Sequence, residues 1–200
     1  MAAALILPGA ALAQQAPAAA PAPKPAAAKP APKPAAQTAA APAATPNPAA
    51  QATLLGQFGD WGAYTATPGG KKVCFALSKP TSSVDNPPNR RTAANPVYMF
   101  ISSRPAEKVK DEVSILVTGY AFKSSSETSL AVGGAPFTMY TQNDGAWPKN
   151  AADEARIIDA MRKGADAVVK GTTSRGTQTT DTFSLKGIAQ ALDRVAQECK

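Results

Sequence analysis

Gln57–Ser78 reads QFGDWGAYTATPGGKKVCFALS, and this stretch decides the fold class. Gln57–Ala66 sets Phe58, Trp61 and Tyr64 among small residues and stops at Pro68-Gly69-Gly70. Proline fixes φ and glycine admits positive φ, so this trio reverses the chain. Lys72–Ser78 then alternates, with Val73, Phe75 and Leu77 on one face and Cys74, Ala76 and Ser78 on the other. A period of two belongs to a strand. Two such segments joined by a turn point to an antiparallel sheet.

The same pattern continues toward the C-terminus. After a Pro/Asn-rich loop at 80–96, Val97–Ser102 is a nearly continuous apolar run, as a strand covered on both faces requires. Glu112–Tyr120 puts Val113, Ile115 and Val117 on one face. Ser129–Val132 and Phe137–Thr141 flank Gly133-Gly134, a hairpin signal. Ala167–Thr172 and Thr177–Leu185 flank Ser174-Arg175-Gly176, another such signal. These segments make about eight strands. Many short strands with regular turns predict a mainly β (α+β), antiparallel β-sandwich-like domain.

Two helices interrupt the strands. The first is predicted over 151–163, with Asn150 as cap, Asp153 and Glu154 in the first turn, Arg162 and Lys163 in the last, and Gly164 closing it. Ala155, Ile158 and Met161 form its expected apolar stripe. The second is predicted over 187–199, where Ile188, Leu192, Val195 and Cys199 share one face.

Upstream of Leu54 the composition changes. Residues 14–53 hold 19 Ala and 10 Pro, and no Val, Ile, Leu, Phe, Tyr, Trp or Met. Nothing there offsets the entropy of ordering the backbone, so this block is expected to be a disordered, PPII-like Ala/Pro/Lys linker. The expected reading of this tail is an unstructured leader with no specific partner, and direct contact with the cell wall is the alternative. Residues 1–13 read as an export signal: a small apolar run ends in Ala11-Leu12-Ala13, the A-x-A pattern before Gln14. No Lys or Arg precedes the run, which implies a charged start further upstream. The run is too short to span a bilayer, which takes about 20 apolar residues. The folding unit is therefore 54–200, long enough to bury roughly 70% of its unfolded surface.

Charge and residue types exclude most catalytic classes. The chain has 21 basic and 14 acidic residues and no histidine. All the acidic residues lie in the folding unit, against 18 of the basic ones, leaving it +4 (18 − 14). That is mild basicity, not the footprint of a nucleic-acid binder. Without His there is no Ser-His or Cys-His pair and no HExxH zinc site. Gly171-x₄-Gly176 lacks the Lys-Ser/Thr that a phosphate loop needs, because Thr177-Gln178 stand there. Ser184-x-Lys186 opens a helix, where Ser is an ordinary cap. No catalytic, cofactor-binding or metal-binding set is assigned.

The two cysteines, Cys74 and Cys199, are most simply one disulfide in an exported chain. Cys199 lies on the stripe of the last helix, and Cys74 shares its strand face with small Ala76 and Ser78. Two unpaired buried thiols are the alternative. The basic doublets Lys71-Lys72, Arg90-Arg91, Lys108/Lys110 and Arg162-Lys163 read first as a solvated surface, with anionic lipids, lipopolysaccharide or sulfated glycans as the candidate ligands should they converge. Arg90 and Arg91 fall in the 80–96 loop and Trp147 in a second loop, so these three form the expected interaction surface.

Several short motifs resemble one family when taken together. They are Phe58-Gly59-Asp60-Trp61, Lys72-Val73-Cys74, Met139-Tyr140-Thr141-Gln142-Asn143-Asp144-Gly145-Ala146-Trp147 and Phe183-Ser184-Leu185-Lys186-Gly187, followed by Ala191-Leu192. In this order and spacing the chain is similar to the invasion-associated locus B family of alphaproteobacterial envelope proteins over essentially all of 54–200. The resemblance implies export to the periplasm or beyond, an association with host-cell invasion and virulence, and a non-enzymatic envelope role. The resulting expectation is a soluble binding protein for an envelope or host-surface macromolecule. A structural periplasmic factor supporting envelope integrity is the runner-up, and a hydrolase with an unrecognised carboxylate site is the third reading.

Overall fold

The structure is a computed structural model and describes residues 52–200. The expected export signal at 1–13 and all but the end of the linker at 14–53 lie outside the described residues. Eleven strands run in chain order: β1 (Thr53–Phe58), β2 (Trp61–Ala66), β3 (Val73–Ser78), β4 (Ser82–Asn86), β5 (Val97–Arg104), β6 (Val109–Val117), β7 (Glu127–Val132), β8 (Ala135–Gln142), β9 (Gly145–Pro148), β10 (Asp166–Thr172) and β11 (Gln178–Ser184). Two helices, α1 (Ala151–Lys163) and α2 (Ile188–Glu198), sit before β10 and after β11.

All strand pairs are antiparallel and belong to one sheet, in the order β1-β2-β3-β5-β6-β9-β8-β7-β10-β11-β4. The domain is mainly β with two helices, as the alternation predicts, but with eleven strands rather than about eight. Three features account for the difference. The 57–66 segment is two strands, because Gly59 at φ 57° turns the chain between Phe58 and Trp61. β4 hides in the Pro/Asn-rich stretch, since its sequence SSVDN has one apolar residue and gives no alternation to read. β9 is only four residues long, and it places Trp147 in a strand rather than in a loop. The expected hairpins at Gly133-Gly134 and at 174–176 are both formed.

The sheet curls until its ends approach. Thr81 N donates to Thr182 O at 2.7 Å, and Asp60 N donates to Lys186 O at 3.0 Å. The first bond extends the β4–β11 pairing, and the second ties the β1–β2 turn to the chain just after β11, eight places away from β2 in the sheet order. The inner face carries the core. In β5 the buried residues are Val97, Met99, Ile101 and Ser103, and in β6 they include Val113, Ile115 and Val117. α2 packs on β1, β2, β3 and β5, while α1 packs on β6, β7 and β9. α2 buries Ile188, Ala191, Leu192 and Val195. α1 buries Ile157, Ile158 and Met161, so Ile157 takes the place expected for Ala155, which is exposed. Asn150 Oδ1 accepts from Asp153 N at 2.9 Å and caps α1 as expected. Gly187, not Ser184, is the N-cap of α2.

Cys74 and Cys199 form a disulfide, with Cα atoms 5.9 Å apart and a sequence separation of 125. The bridge joins β3 to the end of α2, tying an early strand to the last helix. Cys74 is fully buried, and the small side chains around it on that face leave room for α2.

Candidate binding cleft

Three connections meet at one end of the sheet: the segment after β4 (87–95), the segment after β6 (118–126) and the β10–β11 turn (173–177). Their backbone is fixed by local polar bonds. Asp85 accepts from Arg90 N at 3.1 Å and from Arg91 N at 2.7 Å, which pins the first segment to β4. Asn95 accepts from Thr92 N and donates to Thr118 O at 3.3 Å, which links the first segment to the second. Ser174 N donates to Ala121 O and Lys123 N donates to Thr172 O, both within 3 Å, which links the second to the third. Gly176 at φ 83° closes the last turn, and Thr173 Oγ1 accepts from Thr177 N inside it.

Beneath these loops lies a buried charge cluster. Arg91 reaches inward and pairs with Asp85 at 2.5 Å and with both oxygens of Asp181 at 2.9 Å. The three side chains keep only 8%, 7% and 3% of their surface exposed. Ser83 donates to Asp181 at 2.6 Å, and Arg91 Nη1 donates to the Tyr120 hydroxyl at 3.4 Å. Burial lowers the guanidinium's affinity for its proton, but the two carboxylates outweigh it and hold Arg91 above its usual value. Burial pushes Asp181 up despite the hydrogen bond from Ser83 and the charge of Arg91. Burial also pushes Tyr120 up to about 12, so the phenol keeps its proton. Taking such ions out of water costs several kcal/mol each, and only complete pairing offsets the cost. The cluster is therefore an internal brace.

Arg91, expected on the interaction surface with Arg90, also lines the cleft, but the structure places its guanidinium inside the fold against Asp85 and Asp181. Trp147 is placed away from the cleft. It faces Tyr140 across β8–β9 with ring centroids 5.8 Å apart, and it does not line the cleft. Arg90 stays exposed at the cleft mouth, as the loop position predicts.

The cleft above the brace has a volume of about 590 Å³. Asn89, Arg90, Tyr120, Thr173, Arg175 and Thr177 are among its lining residues. Seven arginines lie among the described residues, and five of them hold a carboxylate within 4.0 Å. The two that do not, Arg90 and Arg175, are both exposed and both line this cleft. Of the other basic doublets, Lys71 pairs with Glu107, Lys72 with Glu198 and Arg162 with Asp193, while Lys108, Lys110 and Lys163 do not line this cleft.

Sequence reasoning missed Arg175, because 174–176 carries so strong a turn signal that the side chain at its tip drew no separate reading. It missed Asp181 as well. The signal was present: Thr179, Asp181 and Phe183 alternate onto one face, and an acid on a face with Phe requires a buried partner. Among the described residues no group of three or more His, Cys, Asp and Glu is placed to hold a metal ion. No described helix is long and apolar enough to cross a membrane.

A family model described as invasion associated locus B (IalB) protein matches residues 61–196. The match begins at Trp61 and ends within α2, so it takes in every element from β2 onward. Neither the curated proteins nor the solved structures yield a match.

Proposed function

Because the chain belongs to the invasion associated locus B family, we propose that it is an exported, non-enzymatic binding protein of the cell envelope that holds an envelope or host-surface macromolecule at the cleft between Arg90 and Arg175. The family is a secreted or envelope family and is not a known enzyme family. One observation carries the binding reading: the two arginines without carboxylate partners converge on one loop-built cleft. Fixed scaffolds commonly present recognition residues on such loops. The buried ionisable groups support the same reading, because each is tied to a structural partner. Asp181 faces Arg91 and Ser83, and Glu154 accepts from Val113 N at 2.8 Å. Export by cleavage after Ala13, with the Ala/Pro/Lys segment as a linker ahead of the domain, belongs to this proposal.

The test is binding of the purified full chain to immobilised envelope fractions across a salt series. Retention should fall as salt rises, since exposed charges are screened within about 8 Å at physiological ionic strength. Joint Arg90→Ala and Arg175→Ala substitution should reduce retention without lowering the melting temperature. Turnover of an envelope polymer by the purified protein would overturn the non-enzymatic reading. N-terminal sequencing of the envelope-associated protein should begin at Gln14, and an intact Met1 in the cytoplasm would overturn the export reading.

A further inference from the structure

Resting on the reading of the cleft as the binding site, we infer that its ligand is a sugar carrying a tetrahedral oxyanion ester, sulfate or phosphate, gripped by Arg90 and Arg175 with the Tyr120 hydroxyl as third donor.

The charge balance comes first. Arg91 lies closest to the floor, but Asp85 and Asp181 more than cancel it. The positive charge free to meet a ligand is that of Arg90 and Arg175, which approach from two separate loops. Guanidinium groups match oxyanions in charge and donor geometry and are less strongly hydrated than ammonium groups.

The placing of donors on separate segments favours a tetrahedral anion. An oxyanion monoester presents three terminal oxygens in a tetrahedral array, and the cleft lining offers three donor groups to meet them: two guanidinium forks and the Tyr120 O–H. Tyr120 accepts from Arg91 Nη1, so its own proton is free to point away from the brace. The phenol keeps that proton at neutral pH and therefore serves as a donor. A carboxylate holds its two oxygens in one plane and is matched by a single guanidinium fork, whereas a tetrahedral anion turns oxygens toward donors from several directions.

The remaining walls select the carrier. Asn89, Thr173 and Thr177 are polar, and Gly119 and Gly176 let backbone approach closely. Pro87 and the Tyr120 ring supply the apolar surface. At about 590 Å³ the cleft has the size of a small-ligand site and far exceeds the needs of a bare oxyanion. A polyhydroxylated ring fits such walls better than an acyl chain. The sugar ester has two sources, a soluble or polymeric glycan and the headgroup of a glycolipid.

The full chain is titrated calorimetrically with a sulfated tetrasaccharide, its desulfated counterpart and a hexose phosphate. A parallel arm uses vesicles containing a phosphorylated glycolipid against neutral vesicles. Binding of the ester-bearing sugars and none of the desulfated one is expected. Arg90→Ala and Arg175→Ala should each weaken it about 10- to 100-fold, the worth of a charged hydrogen bond. Tyr120→Phe should weaken it several-fold, and Arg175→Lys should restore only part of the loss, because it returns the charge without the fork. Arg175 stands at an exposed turn tip, so its variants should melt with the wild type; should they not, Tyr120→Phe and Arg90→Ala carry the test. Binding to vesicles alone assigns the lipid-borne source, and binding to the free sugars assigns the glycan. Failure of every ester-bearing ligand, or affinity unchanged by Arg175→Ala, overturns the inference. If envelope retention nevertheless persists, the binding reading stands without this ligand. If the sugars bind and no envelope fraction is retained, the ligand stands and the envelope reading falls.

Discussion

The indole Nε1 of Trp61 donates to the carbonyl oxygen of Ser184 at 2.9 Å, across 123 residues of sequence. Beside it, Asp60 N donates to Lys186 O. The two short motifs at opposite ends of the folding unit, Phe58-Gly59-Asp60-Trp61 and Ser184-Leu185-Lys186-Gly187, therefore form one clasp. Trp61 is fully buried, so its N–H needs a partner, and the last residue of β11 supplies it. Each motif is short because each is half of a contact.

The clasp sets the requirement for glycine at 187. Gly187 has φ 92°, and a Cβ there would lie 1.9 Å from Phe58 O. Gly187→Ala is expected to destabilise the domain by several kcal/mol, since the backbone of the first hairpin must move. Gly133 also has positive φ, but nothing lies within 4 Å of its Cβ position. Gly133→Ala should cost only the left-handed backbone penalty, about 1–2 kcal/mol. Urea midpoints of the two variants check the contrast, and equal losses would contradict it.

The Cys74–Cys199 bridge closes nearly the whole folding unit. In the chain-entropy model a loop of this length contributes about 5 kcal/mol, comparable to the net stability of a typical domain. Cys199→Ser should lower the denaturation midpoint as much as reduction of the wild type does. A further loss on reducing the variant would show that reduction acts elsewhere.

Adjacent arginines should behave in opposite ways. Arg91→Ala leaves Asp85 and Asp181 buried without their cation and should cost about 3–5 kcal/mol. Arg90 is exposed with no carboxylate partner, and Arg90→Ala should stay within about 0.5 kcal/mol of the wild type. Thermal unfolding of the two single variants reads the difference directly. A double substitution would confuse lost binding with lost folding.

Asp181 gives the domain a pH signature. Burial raises its folded pKa above that of the unfolded chain, so the folded state holds a proton that the unfolded chain has released. Its contribution to stability is fully present below the unfolded value, about 3.9, and is lost as pH rises through the folded value. Asp181→Asn removes this titration. The stability of the wild type relative to the variant should therefore fall as pH rises from about 4 to 7. Glu154, raised chiefly by burial, contributes with the same sign in both proteins. Urea unfolding at several pH values checks the slope, and parallel curves would contradict it.

Alternation of large and small side chains was enough to establish an antiparallel β domain. The caps of α1, the Gly133-Gly134 hairpin and the residues of the disulfide were equally legible. These are local properties, or, for the cysteines, a pair with no other partner. The sequence could not distinguish Arg90 from Arg91, because two neighbours in a loop look alike until one meets Asp181 from a strand 90 residues away. Nor could it bring Arg175 to Arg90, since β4 pairs with β11 only after the chain from β3 crosses to the opposite edge of the sheet. Whether a charge braces the interior or faces a ligand depends on which distant groups surround it. Strand pairing across the curled sheet buries Arg91 against Asp85 and Asp181 and leaves Arg90 and Arg175 exposed without a carboxylate partner.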